Sequence, residues 1–130
     1  MKGKKMPEDI VVSIVDDDAS VRRSTQRLLR CAGFRAEAFA SAEEFLDSKA
    51  SAETACLVLD LRMPGMNGLE LQRRLNQNGN RVPIIFMSAH ASEEDQHSAL
   101  NAGAIQFLRK PISKEALLSA IRNALKCPSI

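Results

Sequence analysis

Four short apolar segments of this 130-residue sequence each run directly into polar residues that could take part in chemistry. These residues are Asp16-Asp17-Asp18 after Ile10–Val15, Asp60 after Leu57–Leu59, Ser88 after Val82–Met87 and Lys110 after Ala104–Leu108. Carboxylates brought close together repel one another and are tolerated best around a divalent cation. Oxygen ligands without His or Cys suit Mg²⁺. A hydroxyl and an ammonium group are common partners of a phosphoryl group.

Asp60 is the strongest candidate for a nucleophile among these residues. The apolar run Leu57–Leu59 leads into it and the turn Pro64-Gly65 follows, a pattern typical of a buried strand that ends at the aspartate. A carboxylate can be phosphorylated on oxygen to give an acyl phosphate. Phosphoryl transfer requires mainly positioning and neutralisation of charge, which the other strand ends could supply.

The elements that must position these residues alternate strictly along the chain. Predicted strands cover 10–15, 34–39, 56–59, 82–87 and 104–108, and a predicted helix follows each of them. We expect these helices to begin near Ser20, Ser41, Asn67 or Gly68, Ser92 and Ser113, and the fourth to run to about Ala102.

This alternation predicts an α/β fold, a doubly wound five-stranded parallel sheet with five helices and a flavodoxin-like strand order of 2-1-3-4-5. The switch point of that order lies between strands one and three, where Asp16, Asp17 and Asp60 would meet.

Length and composition indicate one domain, which we place at residues 9–126, with residues 1–8 and 127–130 as flexible termini. The net charge of +2 is too small to suggest a nucleic acid or a membrane surface as the main partner, and no apolar run could span a bilayer. The odd cysteine count without CxxC spacing indicates reduced thiols in a cytoplasmic protein: Cys31, Cys56 and Cys127.

The combined motifs resemble the receiver domain of two-component response regulators, and the resemblance covers about residues 9–126. The motifs that carry it are Ile14-Val15-Asp16-Asp17, the segment from Leu59 to Gly68, Met87-Ser88-Ala89 and Arg109-Lys110-Pro111. The motif Asp60-Leu61-Arg62-Met63-Pro64 most resembles the corresponding motif in receivers of helix-turn-helix transcriptional regulators. It also resembles that of some receivers that stand alone. The resemblance implies a fold like that of the chemotaxis receivers.

The same resemblance implies that a sensor histidine kinase or a phosphotransfer protein phosphorylates Asp60. It implies Mg²⁺, or Mn²⁺, held by Asp17, Asp60 and the backbone carbonyl of Arg62, with Asp16 acting through water. Ser88 and Lys110 would contact the phosphoryl group, and Ser88 and Phe107 would form the switch.

The face built by the fourth predicted helix, strand five and the fifth helix would then bind an effector or a second copy of the domain. We therefore expect a signalling switch with self-catalysed phosphorylation and slow dephosphorylation, and not a metabolic enzyme. We expect no direct contact with nucleic acid or membrane from this domain.

Two alternatives belong to other functional classes. Asp16-x-Asp18 superficially fits the DxD pattern of haloacid-dehalogenase-like phosphatases, in which Asp16 would be the nucleophile. A second alternative is an adaptor that keeps the receiver fold without using phosphate.

His90, two residues after Ser88, could influence the lifetime of the phosphoryl group. Arg23, Arg27 and Arg30 lie on one face of the first predicted helix, which favours a solvated face or, second, a surface for kinase recognition.

The fourth predicted helix is poorly supported by apolar residues. The segment 93–98 contains none, so we expect burial to begin only at Ala99 and Leu100. Few apolar contacts mean low local stability. We therefore hypothesise that this helix is a two-state element that phosphorylation biases, which hydrogen exchange would test.

Overall fold

The structure of the chain is a computed structural model that describes residues 9–126. Its strands are β1 (Val11–Val15), β2 (Arg35–Phe39), β3 (Cys56–Asp60), β4 (Ile84–Ser88) and β5 (Gln106–Arg109). Its helices are α1 (Ala19–Cys31), α2 (Ala42–Asp47), α3 (Ala50–Glu53), α4 (Gly68–Gln77), α5 (Glu93–Asn101) and α6 (Lys114–Lys126). The predicted flexible termini lie outside the described residues, as does Cys127.

The five strands form one parallel sheet in the order β2-β1-β3-β4-β5, which confirms the predicted doubly wound order. Side chains alternate between the two faces of the sheet, so each face has its own core. On one face α1 and α6 pack on the strands, and this core includes Leu29, Leu117, Ile121, Val12, Ile14, Val58 and Ile85. On the other face α2, α4 and α5 pack through a second core that includes Phe45, Leu71, Leu75, Ala99, Leu57, Leu59 and Phe86.

Side-chain caps set the starts of most helices where the sequence predicts them. The side chains of Ser41, Asn67, Ser92 and Ser113 each accept a backbone N–H three residues further on. For α1 the predicted cap, Ser20, is wrong. The Asp18 carboxylate accepts the backbone N–H groups of Ser20 and Val21 at 2.9 and 3.3 Å, so the cap lies two residues earlier than predicted and the helix begins at Ala19.

The structure contains a sixth helix that the sequence pattern did not predict. This helix, α3, has four residues and buries none of them, so it leaves no apolar periodicity in the sequence. Several predicted strand boundaries are also wrong by one or two residues. For example, β4 begins at Ile84 and not at Val82, because the Val82 N–H donates to the Asn80 side chain and Pro83 has no N–H to donate.

Helix α5 also differs from the expectation in which residues it buries. Ala99 is buried, as predicted, but Leu100 is 47% exposed and points away from the core. A single buried residue in nine is a weak apolar anchor for a helix. Among residues 9–126, no helix combines the length and the apolar character that crossing a membrane requires.

Candidate functional site

Three carboxylates converge where β1 and β3 end. Ligand oxygens of Asp16, Asp17 and Asp60 all lie within 4.8 Å of one another. Parallel pairing sets Val15 of β1 beside Leu59 of β3, so the residues that follow must emerge at the same edge of the sheet. Asp16 and Asp60 are buried at 0% and 5% exposure, whereas Asp17 is exposed. The three acids that were predicted from the sequence to meet therefore lie together in the structure.

Asp16 is held in place by bonds to both of its carboxylate oxygens and to its backbone carbonyl. The Asp18 backbone N–H donates to Oδ1 at 2.9 Å, and the Lys110 ammonium donates to Oδ2 at 2.8 Å. The Arg22 guanidinium donates to the carbonyl oxygen at 2.8 Å. Because the Asp18 carboxylate caps α1, it is engaged outside the cluster formed by Asp16, Asp17 and Asp60.

Lys110 supplies the positive charge of the site from the end of β5. Its ammonium lies 3.5 Å from Asp60 Oδ2 and bridges this residue to Asp16. The Lys110 backbone N–H donates to the Ser88 carbonyl, which continues the pairing of β5 with β4. The peptide bond between Lys110 and Pro111 is cis.

The electrostatics of the site leave an excess of negative charge. Burial and then the neighbouring Asp16 charge raise the pKa of Asp60 to about 7, although Lys110 and the Arg62 backbone N–H act in the opposite direction. Burial alone would lower the pKa of Lys110, but its hydrogen bond to Asp16 and the charges of Asp60 and Asp16 together raise it. Three carboxylates facing one ammonium fit a divalent cation that prefers oxygen ligands, such as Mg²⁺ or Mn²⁺.

Arg62 touches the site through its backbone. Its N–H donates to Asp60 Oδ1 at 3.4 Å, so the two oxygens of Asp60 have different neighbours, the Arg62 amide and the Lys110 ammonium. The role of the Arg62 carbonyl as a ligand stays a prediction.

Ser88 ends β4 beside β3 and is 2% exposed. Its Oγ accepts the backbone N–H of His90 at 3.3 Å, which leaves the hydroxyl hydrogen for another acceptor. Phe107 lies on β5 directly opposite Phe86, and the two rings stack with centroids 6.1 Å apart and planes 20° apart. Phe107 is half-buried and packs at the margin of the second core.

Two further residues shape the loop after Asp60. The sequence pattern marked Gly68 only as a possible helix start within the motif and gave Glu43 no role. The Glu43 carboxylate in α2 accepts the Met66 N–H at 3.2 Å, across 23 residues that no local pattern connects. Gly68 packs so closely that a Cβ there would lie 2.5 Å from the Asp60 carbonyl oxygen and 2.9 Å from the Phe86 ring. A glycine at the first position of α4 was the available signal, because glycine is the residue that allows a close approach to the backbone.

Comparison with known proteins identifies the family whose sequences and fold this chain shares. The sequence matches the response regulator receiver domain family over residues 12–122. It is 44% identical over 119 residues to Response regulator protein TmoT of Ectopseudomonas mendocina. That match covers 92% of this chain and 54% of TmoT. It is 38% identical over 120 residues to Transcriptional regulatory protein FixJ of Azorhizobium caulinodans. That match covers 92% of this chain and 57% of FixJ.

A solved structure of the response regulator StyR has the same fold, with a TM-score of 0.84 and 46% identity. That match covers 91% of this chain and 60% of the StyR chain. The chain spans about half the length of the curated relatives it matches.

Proposed function

This chain belongs to the response regulator receiver domain family, and we propose that its receiver domain, residues 9–126, accepts a phosphoryl group on Asp60. The observation that carries the proposal is the position of this carboxylate. It is buried at the end of β3, grouped with Asp16 and Asp17, and 3.5 Å from the Lys110 ammonium. A sensor histidine kinase or a phosphotransfer protein would be the donor.

In the proposed transfer, one oxygen of the ionised Asp60 carboxylate attacks the phosphorus of the donor's phosphohistidine. An O–P bond forms as the N–P bond breaks, and the electron pair of the broken bond stays on the imidazole nitrogen, which takes a proton from solvent. Only the ionised carboxylate is a nucleophile. A pKa of about 7 would therefore leave much of Asp60 unreactive at neutral pH unless further positive charge lowers it.

Mg²⁺ or Mn²⁺, held by Asp17, Asp60 and the Arg62 carbonyl, with Asp16 acting through water, would supply that charge and offset the charge on the phosphoryl oxygens. Lys110 would contact the phosphoryl group from the ammonium position that now bridges Asp16 and Asp60. Ser88 has a hydroxyl hydrogen available for a phosphoryl oxygen. Autodephosphorylation would be slow.

We propose that Ser88 and Phe107 convert phosphorylation into a change of surface. When Ser88 moves toward the phosphoryl group, Phe107 would leave its half-buried position beside Phe86 and follow inward. The face formed by α5, β5 and α6 would then bind an effector or a second copy of the domain. Leu100, 47% exposed on α5, gives this face an apolar residue that association would cover.

For the donor protein we propose a docking surface along α1. A groove of about 570 Å³ runs beside this helix, and it is lined by Ser20, Arg23, Ser24, Arg27, Leu28, Cys31 and Lys114. Leu28 gives the groove apolar surface, and the positive charges of Arg23, Arg27 and Lys114 favour an acidic partner. Arg30 would contribute less, because its guanidinium is turned to the Ala36 carbonyl.

FixJ is described as a transcriptional regulatory protein, and we propose that this receiver likewise controls transcription through a separate output module, without touching nucleic acid itself. We place that activity in the cytoplasm, where two-component phosphotransfer to such a receiver would occur.

Intact mass after incubation with acetyl phosphate and Mg²⁺ tests the acceptor. We expect one added phosphoryl group in the wild type and none in Asp60→Asn. Asp18→Asn is the matched control, since it changes a neighbouring aspartate but retains a good helix cap, and it should be labelled normally. Failure of both acetyl phosphate and a histidine kinase to label the wild type would refute the proposal.

Neither alternative is favoured. The phosphatase alternative requires Asp16 as nucleophile, yet both of its oxygens are engaged and Asp18 caps a helix. Turnover of a phosphate ester that survives Asp60→Asn but not Asp16→Asn would revive that alternative. A phosphate-independent adaptor would need none of the buried charges at the site, and it would be expected to keep its partner binding in Asp60→Asn.

A further inference from the structure

We propose that the Arg62 side chain and Asp95 form a latch that holds α5 in its resting position and opens when Asp60 is phosphorylated. The inference rests on the proposed function for its trigger, but the latch itself exists in the unphosphorylated chain. The contact uses the Arg62 side chain and Asp95, neither of which is among the predicted metal ligands or phosphoryl contacts.

The Arg62 guanidinium bridges two segments that follow β4. Its Nε donates to the His90 carbonyl at 3.1 Å, and one Nη donates to Asp95 Oδ2 at 2.9 Å. Asp95 lies in the first turn of α5. A planar guanidinium with donors in a fixed fork can make both bonds at once, which a lysine ammonium at this position could not do in the same geometry.

Helix α5 depends on polar contacts because it has little apolar packing. Ala99 is its only buried residue. Near its C-terminal end, the Gln72 and Asn76 side chains of α4 donate to the carbonyls of Ala99 and Ala102 at 3.0 and 3.1 Å. Near its N-terminal end, the Asp95 side chain forms an ion pair with Arg62. The helix is therefore fixed at one end by α4 and at the other by the latch.

The latch is connected directly to the reacting groups. The Arg62 backbone N–H donates to Asp60 Oδ1, and the His90 backbone N–H donates to Ser88 Oγ. Phosphorylation replaces the single charge of the Asp60 carboxylate with close to two charges on the phosphoryl group, and this added negative charge competes with Asp95 for the Arg62 guanidinium. Movement of Ser88 would also pull on His90, the second acceptor of Arg62. Both effects act to open the latch.

The latch is weak enough to act as a switch. The side chains of Arg62 and Asp95 are 65% and 26% exposed, and exposed ion pairs contribute little to stability. Losing it should free the N-terminal part of α5 without unfolding the domain.

Asp95→Asn tests the latch, with Glu94→Gln as the matched control. Both remove one negative charge from the first turn of α5, so their effects on the helix dipole are alike. Among the ion pairs of residues 9–126, Asp95 takes part in one and Glu94 in none. We expect amide hydrogen exchange in residues 93–101 of unphosphorylated Asp95→Asn to be roughly two- to five-fold faster than in Glu94→Gln.

Arg62→Lys retains the charge but not the fork, and it should accelerate the same amides. Adding Asp95→Asn to Arg62→Lys should add nothing to the effect of Arg62→Lys alone, because both changes disrupt the pair between residues 62 and 95. Equal exchange rates in Asp95→Asn and Glu94→Gln, or additive effects in the double variant, would overturn the latch.

The same measurement after treatment with acetyl phosphate and Mg²⁺ tests its regulation. Phosphorylation should accelerate exchange in the wild type and Glu94→Gln but add little in Asp95→Asn. Equal acceleration in all three would overturn the proposed opening of the latch. If the phosphoacceptor proposal fails, no protein gains a phosphoryl group, yet the difference between unphosphorylated Asp95→Asn and Glu94→Gln remains.

Discussion

Replacing Asp60 with asparagine should stabilise the metal-free protein at neutral and alkaline pH. Asparagine keeps the shape of the side chain and its ability to accept the Arg62 N–H, but it carries no charge. In the wild type, the buried carboxylate must ionise beside Asp16, with Lys110 as partial compensation. The substitution removes that cost while leaving the bond between Lys110 and Asp16 in place.

The size of the effect follows from the difference between the pKa of Asp60 in the folded chain, about 7, and its ordinary value of 3.8. A raised carboxyl pKa means that the folded state binds more protons, so its stability is highest at low pH and falls as pH rises from about 4 to 7. At about 1.4 kcal/mol for each pH unit, the full cost approaches roughly 4 kcal/mol above pH 7 and is roughly 1.5 kcal/mol at pH 5.

Urea unfolding in EDTA at pH 5 and pH 8 measures this cost. We expect Asp60→Asn to be more stable than the wild type at pH 8 by about 2–4 kcal/mol, and the gain to shrink by about 2 kcal/mol at pH 5. Adding Mg²⁺ should stabilise the wild type more than the variant, because a ligand stabilises the state that binds it.

Asp47→Asn is the control, since it removes a carboxylate that is exposed on α2. It should change stability by no more than about 0.5 kcal/mol at either pH. If Asp60→Asn gains no stability at pH 8 without metal, burial and charge do not destabilise the Asp60 carboxylate, and the site has no excess negative charge for a cation to offset.

Three further substitutions test separate parts of the site. Asp17→Asn should lower the apparent Mg²⁺ affinity in acetyl phosphate labelling by about tenfold or more, since it removes a ligand oxygen; unchanged Mg²⁺ dependence would exclude Asp17 as a ligand. Lys110→Met should destabilise the metal-free protein by about 3 kcal/mol in urea, because it leaves buried carboxylates unpaired, and a loss below 1 kcal/mol would contradict this. Gly68→Ala should cost about 1–3 kcal/mol and slow labelling, because its Cβ would collide with the Asp60 carbonyl. Gly79→Ala is the control for Gly68→Ala. A Cβ at Gly79 would meet no atom within 4 Å, so this substitution should cost only the strain of its positive φ and leave labelling unchanged.

The order of the strands and the meeting of Asp16, Asp17 and Asp60 were predictable from the sequence alone. Apolar runs that end in polar residues define parallel strands, and the rules for right-handed crossovers leave few ways to arrange five of them. Once β1 and β3 are neighbours, their ends must coincide, whatever the details of packing. Short polar caps such as Asn67 were predictable for the same reason, because their partners lie three residues away.

Contacts between residues distant in the chain required the tertiary structure. Nothing in the local sequence pairs Arg62 with Asp95 or Glu43 with Met66, since the partners meet only after helices have packed. The exposure of Leu100 was equally hidden, because its direction depends on how α5 turns against α4.

The pKa of Asp60 likewise could be obtained only from the tertiary structure. The sequence identified the acids, but burial and the distance to Lys110 decide how much of the charge is compensated. Local patterns determine which side chains reach the edge of the sheet, because periodicity and turns act over a few residues. The strength of their interactions is decided only in the folded chain, where distance and loss of water set the energy of each charge.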